Sequence, residues 1–186
     1  KMATYKSIRY KFDGSALTNA GWAGTPAFSA SNITGDSGWT QDVNHLVTMT
    51  QEHYDSDGCF NATGDTVTLN SLSVPAYSFC PNVAGRYYCT FYYTANSGAV
   101  DNLLEVNGKV YFNGESGVAM SMDYYCSYYA ASSKDGHALM QAIHVMNGTG
   151  DYLTPYLYVS NSNGGDNSLL YEDDPYWNMF SAFRLD

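Results

Sequence analysis

No stretch of eleven or more residues in this chain carries the apolar stripe of an amphipathic helix. Its apolar and alternating runs are short: His45–Thr50, Thr66–Leu72, Arg86–Thr94, Asn102–Phe112, His137–Met146 and Tyr152–Ser160. Val, Thr, Tyr and Phe dominate them, and these residues fit a half-buried pleated surface. Between the runs, Asp57-Gly58, Asn107-Gly108, Asn113-Gly114, Asp135-Gly136 and Asn147-Gly148 offer the positive-φ residues that tight hairpins need. Gln141–Val145 has a helical look, but it is short and turn signals flank it. The pattern predicts an all-β chain folded as an antiparallel sandwich or barrel.

With 186 residues the chain is long enough for one domain with a proper core. Aromatic residues make up 16% and charged residues only 14%, which excludes a disordered chain. The net charge of −10 argues against a nucleic-acid partner, since a phosphate backbone calls for a basic face. No apolar run approaches the roughly 20 residues of a membrane-spanning helix, so no membrane insertion is expected. The charge is uneven. Four of the eight Lys and Arg precede Asp13, leaving four cations against 18 acids, a net of −14, from residue 12 onward. Tyr5, Ile8 and Tyr10 alternate loosely with Lys6, Arg9 and Lys11 there. Residues 1–24 therefore read as a basic docking arm and 25–186 as the folded body, with the boundary near Gly24-Thr25-Pro26.

Candidate chemistry is sparse. Cys59, Cys80, Cys89 and Cys126 allow three pairings that spacing cannot separate, although Cys80 and Cys89 bracket a probable turn. His45, His53, His137 and His144 do not fall at zinc-site spacings from them. Gly35-Asp36-Ser37-Gly38 looks like the surroundings of a protease nucleophile. Ser37 precedes every His, however, and turn composition explains the segment. Asp55-Ser56-Asp57-Gly58 opens like an EF-hand loop, yet Thr66 stands where the bidentate Glu belongs. Glu172-Asp173-Asp174 with the loop 161–167 has the donors for Ca²⁺, and a solvated acidic loop is the simpler reading. Tyr124, Tyr125, Tyr128 and Tyr129 suit a half-wet subunit interface, or a platform that stacks on sugars. Asn32, Asn61 and Asn147 head N-x-Thr sequons, which matter only in a eukaryotic secreted protein. No nucleophile, base and orienting group come together, and an enzyme is not expected.

The stretch Tyr77–Tyr92, with Phe79, Pro81, Gly85, Tyr87 and Phe91, resembles the central motif of the C1q/TNF-like globular domain. Other segments agree in order. Ala27–Ala30, which holds Phe28, resembles the opening strand, and Leu46–Glu52 the strand ahead of the motif. Leu103–Val110 is similar to a hydrophobic Asn-Gly hairpin, Gly150-Asp151 to a Gly-Asp turn, and Phe180–Leu185 to the closing strand. Ala84, Cys89 and Ala182 depart from the family's usual Pro, Phe and Gly. The resemblance implies an antiparallel jelly-roll β-sandwich in which Phe79, Tyr87 and Phe183 fill the core and Gly85 permits a tight turn. It also implies a homotrimer about a three-fold axis. Over a shorter stretch, Met2–Tyr10 with Phe12–Thr18 resembles the openings of small virion proteins of marine tailed phages. The expected function is thus a non-catalytic trimeric knob on a virion, as a capsid decoration or fibre-tip protein. Its arm would anchor it to a capsid or fibre lattice, and host-surface glycans are the candidate ligand. A secreted C1q-type lectin, with a leader removed upstream of Lys1, is the alternative.

Overall fold

The computed structural model describes residues 25–32, 39–40, 42–96, 103–114, 118–124, 135–161, 169–170 and 178–186. Strands and no helix occur among them: β1 (Ala27–Ser31), β2 (Asn44–Leu46), β3 (Gln51–Asp55), β4 (Val67–Leu69), β5 (Leu72–Val74), β6 (Gly85–Asn96), β7 (Leu103–Phe112), β8 (Val118–Tyr124), β9 (Asp135–Met146), β10 (Leu153–Asn161), β11 (Leu169–Leu170) and β12 (Met179–Arg184). One sheet runs β9, β6, β12, β1, β3, with short β11 taking the end of β6 that β12 leaves free. The second runs β2, β10, β7, β8, and β4 with β5 forms a separate hairpin. All strand pairs are antiparallel.

Strand β6 shows how alternation builds this sandwich. Tyr87, Cys89, Phe91, Tyr93 and Ala95 are all buried, while Tyr88, Thr90 and Tyr92 on the other face are half-buried. The core centres on Phe28, whose ring stacks on Phe60 at 4.5 Å and on Phe79 at 4.6 Å, with Phe180 edge-on at 4.9 Å. Offset and edge-on rings add to the burial of their area. Tyr93 crosses from one sheet to the other, where its hydroxyl accepts the N–H of Gly108 at 3.0 Å. A Cβ at residue 108 would overlap the Tyr93 ring.

Four expectations change. Asn107-Gly108 is no hairpin turn: both residues lie inside β7, and the glycine answers the close approach of Tyr93. Asp135-Gly136 likewise opens β9, paired with Asn96 and Ala95. The run Leu46–Glu52 is split between sheets. β2 pairs with β10 and β3 with β1, and the fully buried Val47 and Met49 fill the crossing. Thr66–Leu72 is split as well, because Asn70 (φ 50°) and Ser71 (φ 67°) take left-handed conformations and fold it into β4 and β5.

Two core assignments also change. Phe183 does not fill the core; it is 47% exposed. Phe180 and Phe183 are three apart, so a period of two places them on opposite faces, and Phe180 takes the inner one. Gly85 begins β6 without a positive φ, and a side chain there would run into that of Arg184. It serves packing rather than a turn. Gly108→Ala is expected to destabilise the fold by about 1–3 kcal/mol through overpacking. A lower urea midpoint with an unchanged slope would show it, and an unchanged midpoint would mean that Tyr93 moves aside freely.

Candidate functional site

The outward face of the β9–β6–β12–β1–β3 sheet is where this chain departs from an ordinary surface. Its cross-strand rows follow from the registers. Ile143, Tyr88, Phe183 and Ala27 form one row. Gln141, Thr90, Ser181, Ser29 and Tyr54 form the next, with a 2.6 Å hydrogen bond between the Thr90 and Ser181 hydroxyls. Leu139, Tyr92 and Met179 lie on one side of these rows and Val145 with Arg86 on the other. Val145 is 74% exposed, Ile143 58%, Tyr54 49% and Leu139 44%. Tyr88 and Phe183 rest against each other, ring centres 5.3 Å apart. Arg86 is the one charge in these rows, at their margin. It is held by Asp186, whose carboxylate accepts both its backbone N–H and its Nε–H at 2.8 Å. Those bonds hold the Asp186 carboxyl below its usual range. Val145, Ile143, Tyr88 and Phe183 make one exposed apolar patch, and the polar row of Gln141, Thr90 and Ser181 separates it from Leu139, Tyr92 and Met179; exposed apolar side chains of this size suit a contact surface.

Residue composition alone pointed elsewhere. Tyr124 closes β8, opposite Val106 at the edge of the four-stranded sheet. Tyr125, Tyr128, Tyr129 and Cys126 lie outside the described residues, as do Tyr5, Lys6, Ile8, Arg9, Tyr10 and Lys11 of the arm, Ser37, and Glu172–Asp174. Phe28, Phe79, Tyr87 and Phe180 are core side chains. Asp151 ties two turns together. Its carboxylate accepts from Asn113 Nδ2 and from the Asn147 N–H, both at 2.8 Å.

Asp55 is occupied in the same way. One carboxylate oxygen accepts the Cys59 N–H at 3.0 Å and the other the Phe60 N–H at 2.8 Å, so the EF-hand likeness is a capped turn. Among the described residues no group of three or more His, Cys, Asp and Glu is placed to hold a metal. Among the described residues no helix is long and apolar enough to cross a membrane.

The sequons divide sharply. Asn61 is buried, and its Nδ2 donates to the carbonyls of Asp65, Val74 and Pro75 at 2.8–3.1 Å. Asn32 is buried too and donates to Thr48 Oγ1 at 2.9 Å. Asn147 is exposed; its Oδ1 accepts from the Thr149 and Asp151 N–H groups, which leaves the amide nitrogen facing outward.

Neither a protein-family model nor a curated protein sequence matches the chain. Solved structures do. A crystal structure of murine APRIL at pH 5.0 superposes with a TM-score of 0.55 at 12% identity, over 87% of this chain and 99% of that one. The fold is a C1q/TNF-like jelly roll. A second murine APRIL structure, at pH 8.0, gives 0.51 at 11% identity over the same shares. Eiger TNF from S. frugiperda gives 0.48 at 12%, over 87% and 92%.

Two outcomes follow from these environments. When the chain is passed through a eukaryotic secretory pathway, folded protein is expected to carry glycan on Asn147 and none on Asn61, as peptide mass spectrometry would read. Folded protein with a sugar on Asn61 would contradict the buried amide. His144, inward on β9, has Nε2 buried with no hydrogen-bond partner among the described residues, and burial lowers its pKa from 6.5. The unfolded chain therefore takes the proton first, so stability is intact above 6.5 and falls as pH drops toward the folded value. Melting temperature should decline less on mild acidification in His144→Phe, which can still stack on Phe112.

Proposed function

We propose that this chain is a non-catalytic binding protein that works as a homotrimer, assembled through the outward face of the β9–β6–β12–β1–β3 sheet. The observation that carries the reading is the exposed patch of Val145 and Ile143 on β9 beside Tyr88 and Phe183, with Leu139 and Tyr92 beyond the Gln141–Thr90–Ser181 row. A closed cyclic assembly covers such a face on every copy. Tyr and Phe are the side chains enriched at the core of interfaces, and charge is depleted there. In this reading the loops at the ends of the sandwich stay free to meet a partner.

Display on a virion and recognition of host glycans extend the proposal. Their support is the basic segment 1–24 on an acidic body, which suits attachment to a larger lattice, together with 18 tyrosines. A secreted lectin is the second reading, and the open Asn147 sequon favours it.

Native mass spectrometry and light scattering test the assembly. The expected species is a trimer, and a monomer across the micromolar range would sink the proposal. Ile143→Asp with Val145→Lys is expected to weaken assembly at least roughly thirtyfold, about 2 kcal/mol, if these side chains are central. Both positions are exposed in the single chain, so circular dichroism should show the fold retained.

A further inference from the structure

Cys59 and Cys80 face each other across two antiparallel segments. The bridge between Phe60 and Phe79 sets the register. Asn61 N–H donates to Ser78 O at 3.0 Å, and Cys80 N–H to Cys59 O at 2.8 Å. Of these bonds only the second joins the two cysteines, the Cys59 N–H going to Asp55 Oδ1, and opposed residues of an antiparallel pair have Cα atoms about 4.5–5.5 Å apart. That spacing lies within the window in which disulfides form. Opposed side chains in an antiparallel pair also share a face. The Cys59 thiol donates to Asn82 Oδ1 at 3.7 Å, and Asn82 is two residues beyond Cys80.

We infer that Cys59 and Cys80 form an intramolecular disulfide when the chain folds in an oxidising environment. The oxidant is a small-molecule disulfide such as oxidised glutathione. One cysteine thiolate attacks it, forming a mixed disulfide and releasing one glutathione thiolate. The second cysteine thiolate displaces the other glutathione, and the two protons lost by the cysteines end on the two glutathione thiols. The small disulfide is reduced by two electrons and the cysteine pair oxidised by two. Burial pushes the Cys59 thiol up to about 12 and Cys80 up to about 11, so little thiolate exists in the finished fold. The bond therefore forms during folding, before both sulfurs are covered.

Cys89 is not part of this pair. It lies on β6 between Ala142 of β9 and Ala182 of β12, and it is fully buried. The bond would close a loop holding the β4–β5 hairpin, which already hangs on the Asp57–Gly58 turn. There Asn70 Nδ2 donates to the carbonyls of Asp57 and Gly58 at 2.9 and 3.0 Å. Closing that loop constrains the unfolded chain, where a disulfide has most of its effect.

The test refolds the reduced full chain in a glutathione redox buffer, blocks remaining thiols with iodoacetamide, and maps unreduced peptides by mass spectrometry. The expected map links the Cys59 and Cys80 peptides and finds Cys89 alkylated. The oxidised protein should melt about 10 °C above the reduced one. Cys89→Ala should keep the link, and Cys59→Ser or Cys80→Ser should remove it along with the gain in melting temperature. A link between Cys80 and Cys89, a link through Cys126, or alkylation of all four cysteines would overturn the inference. If a serine variant fails to fold, the peptide map of the unaltered chain decides alone. None of these readouts depends on self-association.

Discussion

The hydroxyl of Tyr93 and the amide of Gly108 join the two layers of this sandwich at its centre. Hydrophobic contact alone lets facing sheets slide, because it has no direction. A hydrogen bond from the backbone of β7 to a side chain rooted in β6 fixes where one sheet lies over the other. The aromatic cluster around Phe28 then packs against a frame that is already placed. Two further buried hydrogen bonds act within the layers, one beside β6 and β12 and one beside β10. Thr94 N–H donates to the buried Asn178 side chain at 3.0 Å, and the buried hydroxyls of Ser78 and Thr154 meet at 2.6 Å. Buried polar groups of this kind have full effect only in one arrangement, and so they select it.

Much of the fold was legible in the residues, because most of it rests on alternation. The strand content, the core roles of Phe28, Phe79, Tyr87 and Phe180, and the jelly-roll architecture all follow from local pattern and from a motif whose parts keep their order. What misled was punctuation. An Asn-Gly pair has the same local preference whether it turns the chain or lets a distant ring approach, and only the position of Tyr93 separates the cases. Phe183 misled for the opposite reason. Its size argued for the core, while its distance of three residues from Phe180 had already assigned it to the outer face.

The face we propose for assembly had a signature too, though a subtle one. Strand β9 is apolar on both sides. Met140 and Met146 point in, while Leu139, Ile143 and Val145 point out. A strand with water on one side needs only one apolar face, so a doubly apolar edge strand asks for a second covering layer. The tyrosine-rich segment 124–129 drew attention by composition. The face that stands out among the described residues carries the smaller aliphatic side chains Leu139, Ile143 and Val145, which share the outward side of β9 with Gln141.

The pairing of β1 with β12 places the start and finish of the body side by side: Ala27 is opposite Phe183, and Arg184 N–H donates to the carbonyl of Pro26 at 3.1 Å. Residue 25 and the last residues of the described chain therefore lie at one end of the sandwich. Chain termini that meet in this way make a domain portable. The body can sit as a cassette within a loop of a host protein without separating the host's own two ends. The turn at Asp57–Gly58 shares that end, since the Ser56 N–H donates to the Ala27 carbonyl at 2.9 Å and Ser56 Oγ to the Thr25 carbonyl at 3.2 Å, so a tether at either terminus crowds this turn and leaves the far end open.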